Sequence, residues 1–234
     1  ELTRSIYCIG SEQDYYMQQL FAIMKLLGFE WADGLYHLSY GMVYLPEGKM
    51  KSREGRVVDA DELIDNVVAI ARLTLKDRYP EIEEGELEKR AWIIGLSAIK
   101  FHFLSVGKNS PIYFDPKASL SFEGKTGPYL QYSYARASSI LRKAEGELDL
   151  PSSIKISDDA EWQIILDILG FPRVLSEAAQ NLDPAKLANY LSDLAQRFSG
   201  FYHANPVLGA EDEEVRQSRL AITTAFRAVI KRGL

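Results

Sequence analysis

The chain opens on an unbroken apolar run. "SIYCIG", residues 5–10, shows no polar alternation and ends in Gly10. This is the pattern of a strand covered on both faces, with Cys8 as a buried thiol within it. Met17, Leu20, Phe21, Met24 and Leu27 then recur at helical spacing until Gly28, which stops the helix. Strand, glycine and helix make half of a parallel βαβ unit, and ligands of such sheets sit beyond the C-terminal ends of the strands. The polar residues at that junction are Ser11, Glu12, Gln13 and Asp14. A ligand-facing turn and ordinary helix capping both fit them. "YHLSYGMVYLPEG" alternates as a strand and leads into a loop, "EGKMKSREGRVV", at 47–58. Asp59 and Glu62 have capping-box spacing, and a helix follows from about residue 60 to Arg78, ahead of Pro80. "PEIEEGELEK" reads as an acidic, solvated connector with no further role. A helix over roughly 86–105 carries Leu87, Ala91, Ile94, Ala98 and Phe101 on one side, with His102 as a core histidine.

Beyond a loop-rich link with a short strand, Pro128 stands in a first helical turn. The helix over about 128–145 has two faces. Leu130, Tyr134, Ala137, Leu141 and Ala144 form a core stripe, and Tyr129, Tyr132, Arg136 and Lys143 form the other. Aromatics interleaved with cations can stack on bases while neutralising phosphates, or can lie as snorkelling side chains against a neighbouring domain. Everything after that is helical. Asp158 and Glu161 again have capping-box spacing, with Trp162, Ile165, Leu166 and Leu169 as the apolar face. Asp183 and Pro184 read as an N-cap and first-turn proline for a helix through Leu187, Tyr190, Leu191, Leu194, Phe198 and Phe201. A last helix from about 211 carries Val215, Ile222, Phe226 and Val229, with acids in its first turn and Lys231 and Arg232 in its last. The division is an incomplete α/β part followed by a helical bundle, meeting near residues 115–130.

Composition narrows the function classes. With 47% hydrophobic residues in 234, the chain can bury a core, which excludes disorder. No apolar stretch is long enough for a membrane span. A lone cysteine excludes an internal disulfide and suits a reducing cytoplasm, and three scattered histidines give no metal-ligand cluster. The net charge of -6 argues against a general nucleic-acid glue but leaves local basic faces open. One such face is the 47–58 loop, where Lys49, Lys51, Arg53 and Arg56 crowd between glycines. A mobile cationic loop anchored at both ends suits an anion that must later be released.

Three stretches together resemble arginyl-tRNA synthetase, a class I aminoacyl-tRNA synthetase: "IYCIGSEQDYYMQQLFAIMKLLGFEW", "YGMVYLPEGKMKSREGRVVDADEL" and "LSFEGKTGPYLQYSYARASSILRKA". "LANYLSDLAQRFSGFYHANPVL" and "SRLAITTAFRAVIKRGL" look like that family's anticodon-binding bundle, so the likeness spans essentially the whole chain. The KMSKS-like loop alone has little specificity; combined with "TGPYLQY" at this separation it is specific. The resemblance implies a mixed α/β and all-α fold. Residues 1–122 would be the C-terminal remnant of a Rossmann-type nucleotide-binding catalytic domain, and 123–234 the α-helical anticodon-binding bundle. It implies an arginine–tRNA ligase whose partners are arginine, ATP with Mg2+, and arginine tRNA, working in the cytoplasm as a monomer without a resident metal.

Carried over by position, the loop Lys49, Met50, Lys51, Ser52 and Arg53 would hold ATP phosphates, with Lys49, Lys51 and Arg53 as the catalytic cations. Fixed cations that meet charge growing on pyrophosphate lower the barrier. Lys51 stands in place of the signature's serine, Ser52 in place of its second lysine, and Glu54 where many members carry lysine. The second phosphate contact therefore falls to Lys51 or Arg53. Gln13 matches the glutamine that contacts substrate arginine. Tyr16 and Tyr134 stand where many relatives have histidine. Tyr129, Tyr132, Arg136 and Tyr202 are the tRNA-contacting candidates, whereas the spacing of Phe201 makes it core. No HIGH-type signature occurs in the sequence. The expectation is a C-terminal half, slightly short of its natural end, that does not activate arginine alone. Two other readings are a free-standing tRNA-binding module descended from a synthetase and a helical scaffold without ligand.

Overall fold

The computed structural model describes residues 4–45, 48–49, 59–144 and 153–234. These fall into two compact units, Glu1–Leu63 with Val106–Asp115, and Ile64–Ser105 with Pro116–Leu234.

In the first unit, β1 (Ser5–Gly10) pairs in parallel with β2 (Leu35–Tyr40), Ser5 opposite Leu35 and Gly10 opposite Tyr40. The connection runs through a 3-10 turn, Ser11–Gln13, and α1 (Asp14–Leu26). Gly28 ends this helix at φ 81, a left-handed conformation that favours glycine. A second ladder joins β3 (Val43–Leu45), antiparallel to β4 (Gly48–Lys49) and parallel to β5 (Ile112–Tyr113). The backbone of Lys49 is thus in register with Tyr44, at the entrance to the basic loop. Met50, Lys51, Ser52, Arg53, Glu54 and Arg56 lie outside the described residues.

The continuous apolar pattern of β1 is not matched by burial. Cys8 is exposed, as are Ile6 and Tyr7, because among the described residues β1 has one strand neighbour, β2, and is not covered on both faces. An apolar run records what a strand can bury, not what this chain supplies to cover it.

The second unit is helical: α2 (Ala60–Arg78, beyond its first turn), α3 (Glu84–Ser105), α4 (Pro116–Ser119), α5 (Gly127–Lys143), α6 (Asp159–Leu169), α7 (Phe171–Asn181), α8 (Pro184–Ala204) and α9 (Glu213–Gly233). Its core gathers Leu130, Ala137, Ile140, Ile164, Leu194, Phe198, Phe201, Phe226 and Ile230. Phe198 and Phe226 stack with centroids 3.8 Å apart. Each fully buried side chain of this size contributes about 1.5–3 kcal/mol relative to exposure. Helix starts follow local chemistry: Thr126, Asp158 and Asp212 accept the N–H groups of Tyr129, Glu161, and Glu214 with Val215.

Three sequence expectations change here. The connector at 80–89 is not idle: the Glu83 carboxylate accepts the N–H groups of Gly85 and Glu86, and Glu84 and Glu88 both bind Arg72 of α2. On α6 the buried positions are Glu161 and Ile164, whereas Trp162, Leu166 and Leu169 are exposed. The helix is turned so that the Glu161 side chain points inward, toward Arg219. Asp183 precedes α8 as expected but makes no capping hydrogen bond.

Tyr190 yields a pH prediction. Its hydroxyl donates to the Asp167 carbonyl at 2.6 Å, and burial, helped by the nearby Asp167 charge, pushes the phenol up to about 12. A raised folded pKa contributes stability that is complete below the unfolded value near 10 and lost as pH rises through about 12. Unfolding midpoints measured from pH 9 to 12 should therefore fall more steeply for the parent than for Tyr190→Phe.

Candidate functional site

Each unit carries a separate candidate site. In the first, Gly10 and Tyr40 mark the C-terminal ends of the two parallel strands, where the 3-10 turn holding Gln13 begins. Gln13 occupies the N-cap of α1 yet makes no capping hydrogen bond. Asp14 accepts from Ser39 Oγ at 2.7 Å and lies 3.4 Å from His37 Nδ1, while His37 Nε2 donates to Ile9 O at 3.1 Å. Two β2 side chains therefore clamp the turn against the sheet and leave the Gln13 side chain without a capping role. The sequence pattern did not reveal His37 and Ser39, although their alternate positions on β2 put both on one face. Tyr16 is exposed on α1.

The second unit holds a groove of about 880 Å³. The last turn of α2 contributes Arg78, Tyr79 follows it, α3 contributes Arg90 and Ile94, and a loop contributes Phe122, Glu123, Gly124 and Lys125. Tyr129, Tyr132 and Arg136 enter from α5, and Ser192, Gln196, Ser199 and His203 form one polar face of α8. Three expected residues meet here. The Arg136 guanidinium stacks 4.7 Å over the Tyr132 ring, donates to its hydroxyl at 2.5 Å, and lies 6.0 Å from the Tyr202 ring. Its other amino group reaches Ser199 Oγ at 3.5 Å. Tyr132 is exposed, whereas Tyr129 is half-buried, its hydroxyl 3.4 Å from the Ala195 carbonyl. Tyr202 packs beside Phe198, and Phe201 is core. Lys143 is exposed at the far end of α5 and does not line the groove. Tyr134 packs against the core.

Among the described residues, the groove lining carries four Lys or Arg side chains against one carboxylate, Glu123, in a chain whose net charge is -6. Planar guanidinium and phenol groups beside hydrogen-bonding side chains can stack a base and read its edge. Among the described residues no helix is long and apolar enough to cross a membrane.

Residues 1–115 match the catalytic domain of class I tRNA synthetases of the arginine type, and residues 130–234 match the DALR anticodon-binding domain. Among curated relatives, the arginine–tRNA ligase of Treponema denticola is 43% identical over 98% of this chain, and that of Flavobacterium psychrophilum 43% over 97%. The solved Thermus thermophilus arginyl-tRNA synthetase superposes over 99% of the chain with TM-score 0.85 and 32% identity. The Plasmodium falciparum arginyl-tRNA synthetase does so with TM-score 0.82 and 25% identity, also over 99%. The chain spans about 40% of the length of the curated relatives and 39% of the two solved chains. The parallel strands together with α2 and α3 thus lie within the class I catalytic-domain match, and most of α5 with α6 to α9 within the DALR match. The chain belongs to the arginyl-tRNA synthetase family.

Proposed function

We propose that this chain supplies the phosphate-binding loop and the tRNA-binding bundle of an ATP-dependent arginine–tRNA ligase. The observation that carries this reading is Arg136 held between Tyr132 and Tyr202 at a cationic groove. That arrangement suits an unstacked base of an arginine tRNA anticodon loop. Tyr129 supports the stack from the core side rather than offering an open face. Gln13 would contact substrate arginine beyond the strand ends. The cations Lys49, Lys51 and Arg53, with Met50 and Ser52, would hold ATP phosphates. Mg2+ would arrive on the nucleotide, held mainly by its phosphates and by water.

The chain alone does not activate arginine on this reading, which rests on its 40% share of the relatives' length and the lack of a HIGH signature in its sequence. ATP–pyrophosphate exchange above background would refute that. Its exposed single thiol, Cys8, suits a reducing cytoplasm, and a monomer is the family expectation.

The test is a titration of the chain with an arginine tRNA anticodon stem-loop and with a version carrying altered anticodon bases, at two salt concentrations. Tyr132→Ala should weaken binding of the first by about 1–3 kcal/mol, the range of one base–aromatic stack, and narrow the preference between the two. Binding that ignores the bases and falls steeply with salt would leave phosphate attraction only and defeat the reading.

A further inference from the structure

The groove has a cation that its aromatic wall does not explain. Arg78, in the last turn of α2, lies with its guanidinium 5.3 Å from the Phe122 ring centroid. The other cationic groups lining the groove are engaged: Arg90 with Glu86, Lys125 with Asp193, and Arg136 with Tyr132 and Ser199. Among the described residues no carboxylate pairs with Arg78. Stacking on a ring face leaves the edge of a guanidinium, with its forked N–H donors, available to a tetrahedral oxyanion. An exposed arginine with no acidic partner, oriented by an aromatic ring and facing a groove, is arranged for such an anion.

We infer that Arg78, seated on Phe122, is a phosphodiester contact for the RNA whose base stacks at Tyr132 and Arg136. This rests on the reading above and assigns the α2 side of the groove a separate task. α5 and α8 face the base; α2, with Phe122, fixes the backbone register. Phosphate contacts position a nucleic acid without reading sequence. Arg78 should therefore contribute equally to matched and altered anticodons. The neighbouring Glu123 carboxylate, which also lines the groove, would repel a phosphate displaced along the loop, narrowing the position the backbone can take.

The experiment measures affinity of the 234-residue chain for an arginine tRNA transcript and for one with altered anticodon bases, across a series of salt concentrations. Arg78→Gln, Arg78→Lys and Tyr132→Ala are compared, each checked for an unchanged unfolding transition. Arg78→Gln should weaken both RNAs by the same factor, about tenfold for a charge-assisted hydrogen bond. It should also flatten the plot of log affinity against log salt by about 0.7–0.9, the signature of one lost phosphate contact. Arg78→Lys should keep the slope while losing part of the affinity, because a point charge replaces the fork. Tyr132→Ala should leave the slope unchanged. If Arg78→Gln binds like the parent while Tyr132→Ala is weakened, the inference is overturned and the groove reading stands. If Arg78→Gln weakens only the matched RNA, Arg78 touches a base, which also overturns it. If neither variant changes binding, both readings fall.

Discussion

Replacing Arg219 by alanine is expected to lower the unfolding free energy of the chain by about 3–5 kcal/mol in urea titrations, the cost of breaking a buried pair. Glu161 is fully buried, and its two oxygens are divided between Arg219 Nε at 2.6 Å and the Ser157 N–H at 2.5 Å. The remaining Arg219 donors go to the Pro206 carbonyl at 3.0 Å and Asn205 Oδ1 at 2.9 Å. One guanidinium thus ties the start of α6 and the end of α8 to α9. Removing it strands a carboxylate away from water and releases two acceptors together. Glu161→Gln combined with Arg219→Met should lose less than Arg219→Ala alone, because no charge then remains buried. A loss below about 1 kcal/mol for Arg219→Ala would show that water reaches Glu161 and would remove the network from the core. The effect should extend to RNA binding, since Tyr202 and His203 sit in the last turn of α8, next to Asn205.

This network also shows where sequence reading stops. The capping-box spacing of Asp158 and Glu161 is legible, and the Asp158 carboxylate does accept the Glu161 N–H. That hydrogen bond holds the carboxyl below its usual range, with smaller help from Asn205 and Arg219. The partner of the Glu161 side chain, however, lies 58 positions away, and no local pattern encodes that distance. The same limit misassigned the α6 face. Trp162, Leu166 and Leu169 outrank Glu161 in hydrophobicity, but the ion pair and Ile164 decide which side faces the core. Where the local signal is redundant the sequence reading is accurate. Gly28, the first-turn proline of α5, the acids in the first turn of α9, the α3 stripe and the pairing of Tyr132 with Arg136 on α5 each rest on spacing that one helix fixes by itself. The tRNA-contacting candidates Tyr132, Arg136 and Tyr202 do come together, although Tyr202 belongs to a different helix. Arg78 was not legible, because its meaning depends on Phe122, in a loop 44 positions on, and on the groove that both line.

Gly127→Ala should destabilise the chain by about 3 kcal/mol, at the upper end of what one extra methyl costs in a packed interior. It should weaken RNA binding at least about tenfold, which corresponds to 1.4 kcal/mol, although Gly127 touches no RNA in the proposed complex. A Cβ built on Gly127 overlaps the Ser97 carbonyl of α3, closer than real Cβ contacts come. The obstacle is backbone within a long helix, not the free end of a side chain, so it cannot swing aside. The first turn of α5 must instead back away, straining the Thr126 cap, whose hydroxyl donates to the Ser121 carbonyl at 2.5 Å while accepting the Tyr129 N–H at 3.2 Å. Those residues flank the loop that brings Phe122 and Lys125 to the groove, and α3 and α5 bring Arg90, Tyr129, Tyr132 and Arg136. One methyl group thus alters the spacing of the walls without removing a single contact group. The glycine of "TGPYLQY" therefore sets how closely α5 approaches α3. Gly200→Ala is the matched control: it lies within α8 with nothing within 4 Å of its added Cβ, and should be neutral or slightly stabilising. The salt slope separates this mechanism from loss of a phosphate contact. Gly127→Ala should lower affinity at every salt concentration by a similar factor, leaving the number of neutralised phosphates unchanged. A flattened slope would mean instead that α5 moves far enough to take a cation off the RNA, and that the groove depends on this close approach for its charge as well as its shape.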